Sequence, residues 1–216
     1  MKSIHKTCFL IVTLTGMSVT HVLTQGTFQN LNFEAAQLVP IPGDPNGAVQ
    51  FSAAFPGWTG YIGSQQAVTT VPNGVPIGPS QAFIAIMAPP DWVAHQGSYE
   101  VGFASENGLS VGIAQTGQVP TEAKSLQFLA LYAPTVSLAG QVLSPIRLGN
   151  GPGATSLFGV DVSSFAGQTR ELRFQPGLGI DYLDAITFSD QGIPEPSTFG
   201  LFTLGALLFA SRARRP

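Results

Sequence analysis

The sequence contains few residues that could carry chemistry: 216 residues include one cysteine, three histidines and only 10% charged side chains. The cysteine is Cys8, so the chain beyond it forms no internal disulfide and must rely on a hydrophobic core. Residues 26–193 contain four basic and eleven acidic side chains. Four scattered cations cannot form a basic patch, which argues against nucleic acid as a partner.

The same scarcity excludes most catalytic sites. A zinc site needs three or four ligands close together, and His95 has only Asp91 near it in the sequence. A Ser-His-Asp triad would depend on His95, and no Gly-x-Ser-x-Gly motif supplies the serine. The glycine-rich run GNGPGATS at 149–156 lacks the lysine of a phosphate-binding loop. Asp181 and Asp184 are three residues apart on a predicted strand, so their carboxylates would face opposite ways, which weakens them as a catalytic pair. A secreted glycoside hydrolase, which needs such a pair, is therefore the weakest of three functional hypotheses.

The first 24 residues have the pattern of a secretory signal peptide. Lys2 and Lys6 precede an uncharged stretch from Cys8 to Val19, which corresponds to the n-region and h-region of such a signal. Cleavage by signal peptidase before Gln25 would remove it. The alternative is a retained membrane helix, but the apolar run is short for one and polar residues interrupt it.

Alternating polar and apolar residues predict β-strands in the middle of the chain. Runs that are apolar on both faces, at 81–87 and 126–132, suit central strands of a sandwich. Asn-Gly pairs, most clearly the one at Asn107, favour tight hairpin turns, and seventeen prolines argue against long helices. The predicted fold is therefore all-β, a jelly-roll β-sandwich over residues 25–192. The inward-facing positions would be Tyr99, Val101, Phe103, Leu172, Phe174, Ile186 and Phe188.

Three segments resemble galactose-binding-like jelly-roll domains. FQNLNFEAA at 28–36 is similar to the opening strand of these domains, and FGVDVSSFAGQTRELRFQP at 158–176 is similar to their penultimate region. GIDYLDAITFS at 179–189 looks like their closing strand. The resemblance covers both ends of the predicted domain, and it implies the same jelly-roll fold.

The resemblance also implies a structural calcium ion that ties the first strand to the last. Many such domains hold the ion between an acid of the opening strand and an acid of the last strand, which here match Glu34 and Asp184, with Asp181 nearby. Calcium accepts six to eight oxygen ligands, including carboxylates and backbone carbonyls. The alternative is that these residues are ordinary strand-end acids, solvated or hydrogen-bonded to the backbone.

Two tryptophans are candidates for ligand binding, because a loop aromatic can stack on the apolar face of a sugar ring. Trp58 lies in FPGWTGYIG, and the favoured alternative for it is a core position at a strand start. Trp92 lies in PPDWVAHQG, where exposure in a loop and burial remain equally open. The second functional hypothesis is thus a carbohydrate-binding module for exopolysaccharide.

The C-terminal segment, residues 193–216, combines three features. Pro194, Glu195, Pro196 and Ser197 precede twelve uncharged residues at 199–210, and Arg212, Arg214 and Arg215 follow. Twelve residues at ~1.5 Å each are short of a ~30 Å hydrocarbon core, but small flanking residues and snorkelling arginines extend the span into a transmembrane anchor helix. The basic end would remain cytoplasmic.

This order of motif, apolar run and basic end resembles the PEP-CTERM sorting signal of Gram-negative bacteria. The resemblance implies an exosortase that cuts near the Pro-Glu-Pro motif, after which the protein is released or attached beyond the membrane. Proteins of this kind often accompany exopolysaccharide production. The first hypothesis is therefore a non-enzymatic exported protein, with an inner-membrane-anchored precursor and a mature form at the cell surface or in the extracellular matrix.

Overall fold

A computed structural model describes residues 26–74, 82–105, 108–177 and 179–193. The predicted signal peptide at 1–24 and the predicted anchor from Pro194 onwards lie outside these residues. Across the described ranges, no helix is both long enough and apolar enough to span a membrane.

The described residues form fourteen strands, one four-residue helix and two short 3₁₀ turns. The helix is α1 (Phe51–Ala54), and the turns are Pro72–Gly74 and Ser163–Phe165. The strands are β1 (Val49–Gln50), β2 (Thr59–Ile62), β3 (Gln65–Ala67), β4 (Thr69–Thr70), β5 (Phe83–Met87), β6 (Glu100–Ser105), β7 (Val111–Gln118), β8 (Ser125–Ala130), β9 (Thr135–Leu138), β10 (Gln141–Leu143), β11 (Ile146–Asn150), β12 (Ser156–Asp161), β13 (Thr169–Gln175) and β14 (Gly179–Ser189).

Two six-stranded antiparallel sheets make up the sandwich. The first sheet has the order β10-β9-β13-β7-β2-β3, and the second has the order β11-β12-β8-β14-β6-β5. From β6 to β9, and again from β12 to β14, each successive strand lies in the opposite sheet. This connectivity is that of a jelly roll, so the predicted fold class is confirmed.

The core lies between the two sheets and is rich in phenylalanine. Phe128 of the second sheet packs edge-on against Phe174 of the first, with ring centroids 5.2 Å apart. Such aromatic pairs contribute about 0.5–1.5 kcal/mol beyond their buried area. The predicted inward positions are confirmed, since Tyr99 packs against the core and the others are buried in it: Val101, Phe103, Leu172, Phe174, Ile186 and Phe188.

The hairpin predicted at Asn107 is wrong, although strands lie on both sides of it. β6 pairs with β5 and β14, whereas β7 pairs with β2 and β13, so the chain crosses from one sheet to the other. Gly108 has a positive φ of 74°, which glycine adopts readily in turns, but an Asn-Gly pair does not specify which strand pairs next. Asn150, by contrast, ends a strand that does pair with its successor, because β11 and β12 are neighbours.

The two strands predicted to be central differ in position. β8 is central, between β12 and β14, but β5 forms one edge of the second sheet. The edge is covered, because the Thr70 hydroxyl donates a hydrogen bond to the Ile84 carbonyl at 2.7 Å. Gly74 also lies against the Phe83 ring. A covered edge can be as apolar as a central strand, which explains the wrong prediction.

The opening segment at 28–36 is a series of turns and not the strand that the resemblance implied. Asn30 and Phe33 have φ values of 50° and 59°, which are incompatible with an extended strand. The segment still contacts the last strand, because the Ile186 amide donates to the Leu31 carbonyl at 3.1 Å. This contact falls where the pairing of β14 with β8 is interrupted, between Asp184 and Thr187.

Candidate functional site

The residues between β5 and β6, 88–99, fold back over the outer face of the second sheet. The outer face is the side of this sheet that points away from the core. Val101 and Leu183 point inward, and Glu100, Tyr182 and Asp184, which alternate with them along β6 and β14, point outward. Three carboxylates hold this loop in place: those of Glu34, Glu100 and Asp184.

Glu100 is the most buried of the three, with a fully inaccessible side chain. One carboxylate oxygen accepts a hydrogen bond from the Trp92 indole N–H at 2.5 Å. The other accepts from the His95 backbone amide at 3.0 Å and lies 2.7 Å from His95 Nδ1. A buried carboxylate is stable only when it is paired and hydrogen-bonded, and here all these donors come from the loop.

An aromatic cluster results from this anchoring. The Trp92 ring lies 5.0 Å from the Tyr182 ring, with an interplanar angle of 33°, and the His95 ring lies 5.9 Å from Tyr182. Trp92 and Tyr182 are both half-buried, so part of each ring remains accessible to solvent. Val93, next to Trp92, is 88% exposed. The cluster therefore presents a partly open aromatic surface that is held by a buried charge.

Glu34 and Asp184 hold the second half of the loop. The Gln96 amide donates to Asp184 at 2.9 Å, and the Ala185 amide donates to the other Asp184 oxygen at 2.6 Å. A single Glu34 oxygen accepts from the Ser98 and Tyr99 amides at 2.9 and 3.0 Å. The hydrogen bonds to the backbone match the alternative that these acids are structural.

Gly97 is required where Glu34 meets the loop. Its φ of 68° lies in the left-handed region, and a β-carbon at this position would overlap the Glu34 carboxylate. Beside Glu34 is a cavity of about 280 Å³, which is lined by Asn32, Glu34, Gln96, Gly97, Ala185, Ile186 and Thr187. The opening segment, the loop and the last strand all contribute to it.

Burial and neighbouring acids change the proton affinity of this region. The pKa of Asp184 is raised to about 7: burial is the largest cause, the hydrogen bonds from the Ala185 and Gln96 amides lower it, and the nearby Glu100 and Glu34 carboxylates add to the rise. The pKa of Tyr182 is raised by burial and by Glu100 and Asp181. Acidic groups are thus crowded here, and Asp184 and Tyr182 keep their protons to a higher pH than usual.

Asp181 does not share the bonds of Glu34 and Asp184. It accepts hydrogen bonds from the Leu131, Tyr132 and Tyr182 amides, at 3.1, 3.1 and 2.8 Å, and burial raises its pKa. Within the described residues, no three His, Cys, Asp or Glu side chains are grouped so that they could hold a metal ion. Any metal here would depend on Glu34 and Asp184 together with neutral oxygen donors.

Trp58 lies in the core, as the favoured alternative predicted. Its side chain is 4% exposed and packs against Phe33 and Phe174, with ring centroids 5.7 and 6.3 Å away. Its indole N–H donates to the Asn30 carbonyl at 3.1 Å. It is therefore inaccessible to a ligand. The sorting residues Pro194–Ser197 and the basic residues Arg212, Arg214 and Arg215 lie outside the described residues.

Sequence reasoning missed Glu100, Tyr182 and the role of His95. His95 pairs with Glu100 and not with its sequence neighbour Asp91. Two features of the sequence could have indicated Glu100: it is a charged residue directly before the apolar part of a strand, and Trp92 and His95 precede it closely. The indole and the imidazole can both donate hydrogen bonds to a carboxylate.

Comparison with known proteins identifies the end of the chain. Residues 192–215 match a protein-family description, the PEP-CTERM protein-sorting motif. This chain carries a PEP-CTERM tail. The tail implies an exported protein with a membrane-anchored precursor that an exosortase processes. The match spans the predicted residues Pro194–Ser197 and all three arginines, so the predicted sorting signal is confirmed.

Other comparisons add little. A search of curated proteins gives no match to this chain. Among solved structures, the family 11 carbohydrate-binding module of the cellulosomal cellulase Lic26A-Cel5E of Clostridium thermocellum is similar. It is 12% identical, with a TM-score of 0.33, over 74% of this chain and 95% of that module. A TM-score this low supports no argument about the ligand.

Proposed function

We propose that this protein is a non-catalytic component of the cell surface or extracellular matrix of a Gram-negative bacterium. The observation that carries the proposal is the PEP-CTERM tail directly after a sandwich domain. In this proposal the chain is the substrate of a sorting enzyme. The mature sandwich is delivered beyond the inner membrane and acts there through its surface.

Mass spectrometry of the protein from a producing cell tests this proposal. We expect a mature N-terminus near Gln25 and loss of the residues that follow the Pro-Glu-Pro motif. A variant with Pro194→Ala and Pro196→Ala should accumulate as a membrane-bound precursor, while Glu122→Gln, an exposed change in the sandwich, should be processed normally. Recovery of mature protein with the intact tail would contradict the proposal.

A second candidate function is binding of exopolysaccharide at the aromatic cluster. The supporting observation is the Trp92 ring, which is fixed by Glu100, packed on Tyr182 and still partly exposed. A rigid aromatic surface with adjacent polar groups suits the alternating apolar and hydroxyl faces of a sugar. Fixing the ring in advance lowers the entropy lost on binding.

Polysaccharide pull-down with the purified protein tests the second function. Trp92→Ala should weaken retention about tenfold or more, which corresponds to about 1.4 kcal/mol. Val142→Ala is the matched control, because Val142 is 66% exposed on β10 of the other sheet. Equal retention by both variants would exclude the aromatic cluster as the binding surface.

A calcium ion at Glu34 and Asp184 also remains a proposal. The two carboxylates lie close enough for Glu34 to raise the pKa of Asp184, and the cavity beside Glu34 is lined by further oxygen-bearing residues. Hard oxygen donors of this kind fit calcium, which would relieve the repulsion between the two acids. Glu34 and Asp184 would hold the ion, and it would tie the opening segment to the last strand.

Thermal unfolding with calcium and with EDTA tests the ion. At a hundredfold excess of calcium over its Kd, the Tm should rise by about 5 °C or more. Glu34→Gln should abolish this rise, whereas Asp181→Asn should keep it, because Asp181 bonds to a different part of the chain. A Tm that EDTA leaves unchanged would count against the ion.

A further inference from the structure

The chain is held against the sandwich up to the residue before the sorting motif. β14 ends at Ser189, whose carbonyl accepts from the Lys124 amide at 2.8 Å. The Ser125 hydroxyl then donates to the Gln191 carbonyl at 2.7 Å. The Gln191 amide donates back to the Ser189 hydroxyl at 3.0 Å. Residues 190–193 therefore turn back across the start of β8.

Ile193 occupies a place that a glycine leaves open. A β-carbon on Gly159 of β12 would overlap the end of the Ile193 side chain, and it would lie 2.8 Å from Leu148 Cδ1 on β11. Glycine inside a strand weakens packing and is found where another group approaches the backbone closely. Gly159 and Leu148 thus form a seat for Ile193 on the outer face of the second sheet.

The sorting motif follows this seat without a spacer. The family match begins at Gly192, so its first two residues already lie on the sandwich. A residue before proline is biased towards extended backbone, and each proline has a fixed φ, so Ile193, Pro194 and Pro196 restrict the chain. Enzymes that bind extended peptides gain affinity when the segment is ordered beforehand.

We propose that Ile193 is a positioning residue for processing, because its seat over Gly159 presents Pro194–Ser197 to the sorting peptidase from a fixed point. The described chain ends at Ile193 on the outer face of β11 and β12, so the peptidase would meet the sandwich in a defined orientation. This inference rests on the proposed sorting by an exosortase.

Pulse-labelling of the full-length chain in a host that contains its exosortase tests the inference, with conversion of precursor to processed form as the readout. Ile193→Asp should slow conversion about three- to tenfold, because only an apolar side chain fits the seat. Ile193→Val keeps an apolar side chain there and should be converted at close to the wild-type rate. Insertion of Gly-Ser-Gly between Ile193 and Pro194 should slow conversion similarly while the seat stays intact. Val142→Asp, an exposed change on the other sheet, should have no effect.

Two controls separate this inference from the proposed function. If Pro194→Ala with Pro196→Ala does not block conversion, exosortase sorting itself is wrong. If that variant blocks conversion while the insertion variant is processed at the wild-type rate or faster, the positioning role of Ile193 is overturned. Trypsin resistance of the sandwich in the same extracts reports folding, and the insertion decides the outcome if Ile193→Asp unfolds.

Discussion

The indole nitrogen of Trp92 lies 2.5 Å from a carboxylate oxygen of Glu100, so a loop aromatic is fixed by a fully buried charge on a strand. Trp92 and His95 lie eight and five residues before Glu100, and both bond to it. The loop and the start of the strand thus form one closed unit. The orientation of the Trp92 ring therefore depends on Glu100 as well as on the path of the loop.

Glu100→Gln should loosen this unit. Glutamine keeps one acceptor oxygen, so either the Trp92 indole or the His95 backbone amide loses its acceptor, and we expect a loss of about 1–3 kcal/mol in the free energy of unfolding. Urea unfolding measures this loss. Acrylamide quenching of tryptophan fluorescence should increase as well, because Trp92 becomes more accessible while Trp58 stays buried.

The matched control for Glu100→Gln is Glu122→Gln. Glu122 is exposed, and such surface changes are usually within about 0.5 kcal/mol. Equal unfolding free energies and equal quenching for the two variants would show that Glu100 does not anchor the loop.

Gly97→Ala should be more damaging than alanine at another glycine with positive φ. At Gly97 the added methyl group overlaps the Glu34 carboxylate, whereas at Gly140, with a φ of 77°, no atom lies within 4 Å. Both substitutions carry the cost of a left-handed backbone, about 1–2 kcal/mol. The additional loss at Gly97, about 1–3 kcal/mol in urea unfolding, measures the fit between Glu34 and the loop. Similar losses at the two glycines would refute this close contact.

Alternation in the sequence predicted strand faces because it records which side of a strand is buried. Leu172 and Phe174 are in the core as predicted, with Arg173 on the other side. The sequence around Asn107 does not indicate which strands pair. The alternation in the strands before and after it would be the same in a hairpin and in a crossover between sheets. Pairing is a long-range choice that local residue types do not encode.

Glu100 shows why the candidate site was less predictable than the fold. Glu100 precedes the inward-facing Val101 on the same strand, so alternation correctly places it on the outer face, where a charged side chain is ordinarily solvated. It is buried only because residues 88–99 fold back over the sheet, and the path of a loop has no periodic signal. The acid pair Glu34 and Asp184, by contrast, was found through resemblance, and the two do meet the same loop.

Substitution of Trp58 should cost more stability than substitution of Trp92. Trp58→Ala removes a core side chain between Phe33 and Phe174, and it should cost about 3–5 kcal/mol in the free energy of unfolding. Trp92→Ala should cost less, about 1–2 kcal/mol, because its ring is only half-buried. Urea unfolding of the two variants under one set of conditions compares these losses. A larger loss for Trp92 would reverse their assigned roles.

The raised pKa of Asp184 should make stability fall as pH rises, when EDTA keeps calcium away. Burial, with Glu100 and Glu34 adding to it, moves this pKa from 3.8 to about 7, so the folded protein retains a proton that the unfolded chain releases. The stabilisation is fully present below pH 3.8 and is lost as pH rises through 7. Between pH 5 and pH 8 this group alone should remove roughly 2–3 kcal/mol from the free energy of unfolding, as measured in urea.

Asp184→Asn isolates this contribution, because asparagine has nearly the same size and does not titrate. The variant loses one of the two hydrogen bonds to the Gln96 and Ala185 amides, so it should be less stable than the wild type at pH 5. At pH 8 the wild type carries a buried negative charge beside Glu100 and Glu34, and the gap should narrow or reverse. Groups common to both proteins cancel in the comparison. A constant gap from pH 5 to pH 8 would mean that Asp184 does not titrate in this range, which would contradict its raised pKa.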